Sequence, residues 1–169
     1  MNIKIIMNYL LLAEENGIIK EDNIMACIRS DYYTDIAEQI IDKFTEHFHE
    51  FNINEILFLE DDKKKPKNKY ASIKKVQPPY TFITSTKFII TIYEQNVIDA
   101  EFSEAQKHLL ILNQLMLIDE SFNKIVGYDV EGFKSILSIF SPYWDQMKNV
   151  EDILSDDFTA TFQEEDNII

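Results

Sequence analysis

Residues 103–118 read SEAQKHLLILNQLMLI. Ser103 followed three residues later by Gln106 is a capping-box signature: the hydroxyl accepts from the N–H three residues on, and the Gln side chain reaches back to the cap's own N–H. The pattern predicts a helix from about 103 to 118. Beyond His108 it is apolar nearly all round, the mark of a helix buried on every side. One polar pair, Asn113-Gln114, interrupts the run. Two uncharged amides inside such a helix need a reason, and the residues alone allow an ordinary polar spot on the wet edge of a core helix.

Working outward, the stretch TDIAEQIIDKFTEHFHEF (34–51) is amphipathic. Ile36, Ile40, Ile41, Phe44 and Phe48 recur at helical spacing, and Thr34 or Asp35 can cap the helix. Residues 3–13 carry a stripe of Ile3, Ile6, Met7, Leu10 and Leu11 that predicts a helix ended by Gly17, and a second short helix is expected over 21–29. INEILFLED (53–61) and YASIKKV (70–76) read as strands, with a solvated lysine-rich connection between them. TKFIITIYEQ (86–95) is the strongest strand, rich in β-branched and aromatic residues. VEGFKSILSIFSPYW (130–144) predicts a last helix that stops before Pro142. The order of helices, strands, then helices implies an α+β fold: a small, mainly antiparallel sheet packed by helices. Three segments are expected: an N-terminal helical extension (1–30), the main domain (31–145) and an acidic tail (146–169), part of it disordered or partner-dependent.

The 169 residues suffice for one hydrophobic core, and a 46 % hydrophobic content fits a folded chain. The single cysteine, Cys27, cannot form an intramolecular disulfide, which points to a reducing compartment and a cytoplasmic location. The apolar run near the N-terminus is about half as long as a membrane span requires. Net charge is −14, yet residues 63–75 hold seven of the 16 Lys and Arg and no acid, which leaves the remainder at −21. Such a body repels nucleic acid and anionic membranes and attracts basic surfaces, so neither direct nucleic-acid binding nor membrane binding is expected.

Few motifs carry chemistry. There is no phosphate-binding glycine loop and no nucleophile arrangement around Cys27. His47 and His49 stand at i and i+2, on opposite sides of a helix, and read as surface residues. His108 follows Glu104 by one turn, two ligands at most of a four-ligand site. The lysine-rich segment, with Tyr70 as its one aromatic, reads as a solvated loop. Tyr32, Tyr33, Tyr143 and Trp144 are candidate interface anchors, with core packing the alternative for Trp144.

The amide pair gains meaning from spacing. Zinc peptidases of the H-E-x-x-H type place two His at i and i+4 on one helix face, with a Glu beside the first acting as base on the metal-bound water. Asn113, Gln114 and Leu117 have the same i, i+1, i+4 spacing. From about Ile36 to Trp144 the chain resembles the putative phage metallopeptidase family, which is zincin-like. IAEQIIDKFTEHFHEFNINEILFLEDDKK is similar to its opening helix and first strand. KYASIKKVQPPYTFITSTKFIITIYEQNV resembles its basic, proline-containing stretch and following strand. SEAQKHLLILNQLMLI resembles the helix that ends in L-x-H-E-L-x-H-I, and YDVEGFKSILSIFSPYW its closing H-D-F-E-E-F segment.

The departures fall on the chemistry. By this resemblance Asn113 and Leu117 replace the two metal-binding His, Gln114 replaces the Glu base, and Tyr128 replaces a third His ligand, while Asp129 and Phe133 keep their places. Leu cannot ligate metal, neutral amides are poor zinc ligands, and Gln cannot take a proton from water. The resemblance therefore implies a degenerate zincin-like core with no catalytic residue, metal or cofactor. The corresponding expectation is a non-catalytic phage-derived module that binds a host protein with a basic nucleic-acid-binding surface, an anti-CRISPR or anti-restriction inhibitor in a bacterial cytoplasm. Its candidate contact residues are Glu60, Asp61, Asp62, Asp156, Asp157, Glu164, Glu165 and Asp166. The rival readings are a zinc metallopeptidase with shifted ligands and a phage structural or assembly protein.

Overall fold

A computed structural model describes residues 27–62, 69–127, 136 and 139–159. In chain order these form β1 (Cys27–Arg29), α1 (Asp31–Lys43), α2 (Thr45–Phe48), β2 (Ile56–Asp61), β3 (Ala71–Lys75), β4 (Phe88–Tyr93), α3 (Glu94–Asp99) and α4 (Glu104–Leu115). Short 3-10 turns cover Ile53–Glu55, Tyr80–Phe82 and Trp144–Gln146. The fold is α+β, as the order of sequence patterns implies. Among the described residues no helix is long and apolar enough to cross a membrane.

The four strands form one sheet in the order β1-β2-β4-β3. Its central pair is parallel, with Ile56 beside Phe88 and Asp61 beside Tyr93. β3 runs antiparallel to β4 and β1 antiparallel to β2. The sheet is therefore mixed, which corrects the expectation of a mainly antiparallel one. Burial explains the order. β4 (FIITIY) has Phe88, Ile90 and Ile92 fully buried, so it belongs in the middle, between two neighbours. β3 (ASIKK) ends in two exposed lysines and takes an edge, where lysine discourages pairing with another chain. Inserting β4 between β2 and β3 makes its pairing with β2 parallel.

Two segments depart locally from expectation. Cys27–Arg29 is a strand, not the end of a short helix: Cys27 pairs with Asp61 and Arg29 with Leu59. Ser30 then caps α1 in place of Thr34 or Asp35. Its backbone is extended, its N–H continues the ladder to the Phe58 carbonyl at 3.0 Å, and its hydroxyl accepts from the Tyr33 N–H at 3.2 Å. The helix thus starts where the strand pairing stops.

The core lies between one face of the sheet and helices α1 and α4. Ile36 and Ile40 of α1, Phe58 of β2, Phe88, Ile90 and Ile92 of β4, and Leu109, Ile111, Leu112 and Leu115 of α4 all belong to it. Ile41 and Phe44 flank the α1 stripe, partly buried. Beyond α4 the chain reverses: Ile118 bridges Ile125, and Phe122 buries its ring against Phe51 and Phe88. The first part of the expected acidic tail packs on this body. Ile153 and Phe158 are buried, and Phe158 meets both Phe44 and Phe140. The helices expected over 3–13 and most of that over 130–144 lie outside the described residues, apart from a buried, helical Ile136.

Candidate functional site

α4 is the element on which the amide pair sits, and its start is built as the sequence implies. Ser103 N–H donates to Gln106 Oε1 at 2.9 Å, and Gln106 N–H donates to Ser103 Oγ at 3.3 Å. The same Gln106 donates through Nε2 to the Trp144 carbonyl at 3.1 Å, tying the cap to the C-terminal region. The helix's end is earlier than expected. Its last residue is Leu115, and Met116 caps it through its N–H to the Leu112 carbonyl. Leu117 lies in the turn that follows, its N–H donating to the Gln114 carbonyl at 3.3 Å.

The turn is pulled from the helix by Asp119. Its carboxylate accepts from the N–H groups of Asn123 and Lys124, both at 2.7 Å, and from the Ser121 hydroxyl. The Ser121 bond, followed by the Lys124 bond, holds the Asp119 carboxyl down at about 2. Backbone pairing of Val126 N–H with the Leu117 carbonyl at 2.8 Å completes the reversal.

At the amide pair itself, Asn113 is buried and its Nδ2 donates to the Leu109 carbonyl at 2.9 Å, one turn back on the same helix. Gln114 is 5 % exposed, and its Oε1 is buried without a hydrogen-bond partner. Leu117 is partly buried in the core. Tyr128 lies outside the described residues.

This donor set does not fit zinc. One amide is turned onto its own helix, the other is a neutral carbonyl, and the i+4 position offers a hydrocarbon. Among the described residues no group of three or more His, Cys, Asp or Glu is placed to hold a metal.

The histidines are engaged elsewhere. His108 Nδ1 meets Asp152 Oδ1 at 2.7 Å, so it does not combine with Glu104. Glu104 instead accepts from the Tyr32 hydroxyl and from Lys107 Nζ at 2.9 Å. Those two bonds, Tyr32 first, lower its carboxyl below the ordinary range. His47 faces Glu120 and His49 faces Glu50, each at 3.8 Å.

The tyrosines expected as interface anchors divide. Tyr33 is buried, and burial, then its bond to the Glu94 carboxylate at 2.8 Å, raises its hydroxyl far above the ordinary value. Burial, then the bond to Glu104, does the same for Tyr32. Sequence reading missed these tyrosine–carboxylate pairs because 61 residues separate Tyr33 from Glu94 and 72 separate Tyr32 from Glu104. Trp144 rests against Phe102 and is partly buried, whereas Tyr143 is exposed.

The acidic candidates divide as well. Asp62, Asp156 and Asp157 are exposed, and Glu60 is partly exposed and accepts from the Ser30 hydroxyl. Asp61 is buried at the end of β2. Glu164, Glu165 and Asp166 lie outside the described residues, as do residues 63–68 of the lysine-rich segment.

Comparison with known proteins bears on the whole of this framework. No curated protein and no solved structure matches the chain. A family model described as putative phage metallopeptidase matches residues 25–156, from just before β1 to within the packed C-terminal segment. That match spans well over half of the sequence, and the chain belongs to the putative phage metallopeptidase family.

Proposed function

We propose that this chain is a degenerate, non-catalytic member of its family, a zincin-like core kept for its surface. In this reading it binds and inhibits a host nucleic-acid-binding defence factor, as an anti-CRISPR or anti-restriction protein does, in the bacterial cytoplasm. The observation that carries the proposal is the chemistry at Asn113, Gln114 and Leu117. In this reading they take the places of the family's two His and its Glu, and they hold a back-bonded amide, an unpartnered carbonyl and an alkyl group. Neither a Lewis acid nor a general base can be assembled from them.

A net charge of −14 with Asp62, Asp156 and Asp157 exposed favours a basic partner surface. Purified protein should carry no stoichiometric zinc, and its complex with a defence nuclease should weaken as salt rises, because contacts between exposed charges are screened. One tightly held zinc per chain would overturn the non-catalytic reading and favour a peptidase with shifted ligands. Co-purification with a virion component instead of a nuclease would favour an assembly role.

A further inference from the structure

The connection between β3 and β4 carries the two most exposed large apolar side chains among the described residues, Phe82 at 83 % and Ile83 at 75 %, with Tyr80 at 63 % beside them. They are not on a slack loop. Val76 N–H closes its base on the Lys87 carbonyl at 2.8 Å. Tyr80, Phe82 and Ile83 each donate an N–H to a carbonyl three residues back, at 3.0–3.1 Å. Thr84 Oγ1 accepts from the Thr86 N–H at 3.1 Å. The turn is therefore held by its own backbone while its large side chains point to solvent, against the usual economy of a soluble surface.

Charge distinguishes this tip from the rest of the molecule. No acid occurs between Lys63 and Tyr93 in a chain of net charge −14. Lys74 and Lys75, at the foot of the turn, are exposed. Acids border the patch on its inner side: Glu55 holds Lys87 at 2.7 Å, and Asp119 organises the turn that Lys75 reaches through the Asn123 carbonyl.

We propose that the Tyr80–Ile83 turn is a docking tip for an anionic lipid bilayer. Tyr80, Phe82 and Ile83 enter the headgroup boundary, and the exposed Lys74 at the foot of the turn faces the lipid phosphates. Two aromatic rings and an aliphatic chain on one projecting turn match the amphipathic boundary of a bilayer, and the lysine beside them matches its negative surface. A protein partner fits less well, because three side chains on a tight turn fall short of the roughly 800 Å² per partner that specific interfaces bury. Single-stranded nucleic acid would use the rings for stacking but leaves Ile83 without a role. The acidic body opposes approach only at long range. Screening over about 8 Å at physiological salt lets the local patch decide. Attachment of this kind is weak and reversible, and it does not depend on the defence-factor reading.

The test is co-sedimentation of the full chain with vesicles of phosphatidylcholine, alone or with roughly one-third phosphatidylglycerol. The chain should sediment with the anionic vesicles and not with the neutral ones. The double substitution F82S/I83S and the single substitution K74E should each reduce the bound fraction about tenfold. These side chains are exposed, so both variants should keep the parent's circular dichroism and melting temperature. Failure to sediment with anionic vesicles, or equal binding by parent and F82S/I83S, overturns the proposal. So does self-association in sedimentation velocity that F82S/I83S abolishes, since a second copy of the chain would then cover the tip.

Discussion

His108 Nδ1 and Asp152 Oδ1, 44 residues apart, meet at 2.7 Å and fasten the C-terminal segment to α4. Lys43 Nζ donates to the Ser155 carbonyl nearby, and Ile153 and Phe158 bury beside them. Residues that read in sequence as the beginning of an acidic tail are thus held by a histidine that reads as a helix-surface residue.

Substituting Asp152 by Asn should cost about 1 kcal/mol, the worth of a partly exposed charged hydrogen bond, and speed proteolysis within 150–158. Burial pushes the Asp152 carboxyl up, but bonds from His108 and the Leu154 N–H outweigh it and leave the carboxyl below its ordinary 3.8. A depressed carboxyl stabilises the fold above 3.8 and loses that contribution as pH falls below it. Urea midpoints for parent and variant at neutral pH and near pH 3 check this: the two should converge in acid, and equal midpoints at neutral pH would show the clasp to be inert.

Gln114→Met should stabilise the protein by about 1–2 kcal/mol, because it removes a buried carbonyl that accepts no hydrogen bond while keeping side-chain length. Chemical denaturation measures it directly. A loss of stability would mean that the carbonyl is in use, which would reopen the question of a ligand at this helix end.

Glu101 sits just past α3 with φ 54°, in the left-handed region, and is exposed. Glycine enters that region without the clash of a Cβ, a gain of about 1 kcal/mol, partly offset by its greater freedom in the unfolded chain. Glu101→Gly is expected to raise the melting temperature by a few degrees. An unchanged or lower value would show that the offset wins.

The Asp119 carboxyl should titrate at about 2 by NMR, below its ordinary 3.8. Its support for the turn is then complete above 3.8 and fades as pH falls towards 2. Substituting Ser121 by Ala removes the largest cause and should bring the titration back towards the ordinary value. A midpoint already near 3.8 in the parent would refute the three-bond arrangement.

Local signals in the sequence told the truth about local structure. The Ser103–Gln106 box, the Ile36–Ile40–Phe48 stripe and the β-branched run of β4 each depend on neighbours within one or two turns, and each appears where its pattern lies. The family was also legible, because blocks of pattern that resemble it run through most of the matched region.

Tertiary structure alone decided the rest. Ser30 becomes the α1 cap because β1 pairs with β2, a partnership of residues 30 apart. The parallel centre of the sheet follows from which strand is most apolar among all four, a comparison no single window contains. The α-helix ends at Leu115, with Leu117 in a tighter turn, where Asp119 and the Val126 N–H hold the chain in a reversal. Helix propensity at that point is worth only tenths of a kcal/mol per residue, and three hydrogen bonds to one carboxylate exceed it. What sequence determined was therefore the set of elements and the identity of the side chains at α4. What the fold determined was their company: a buried amide with no partner, a histidine bound to the C-terminal segment, and an apolar turn facing solvent.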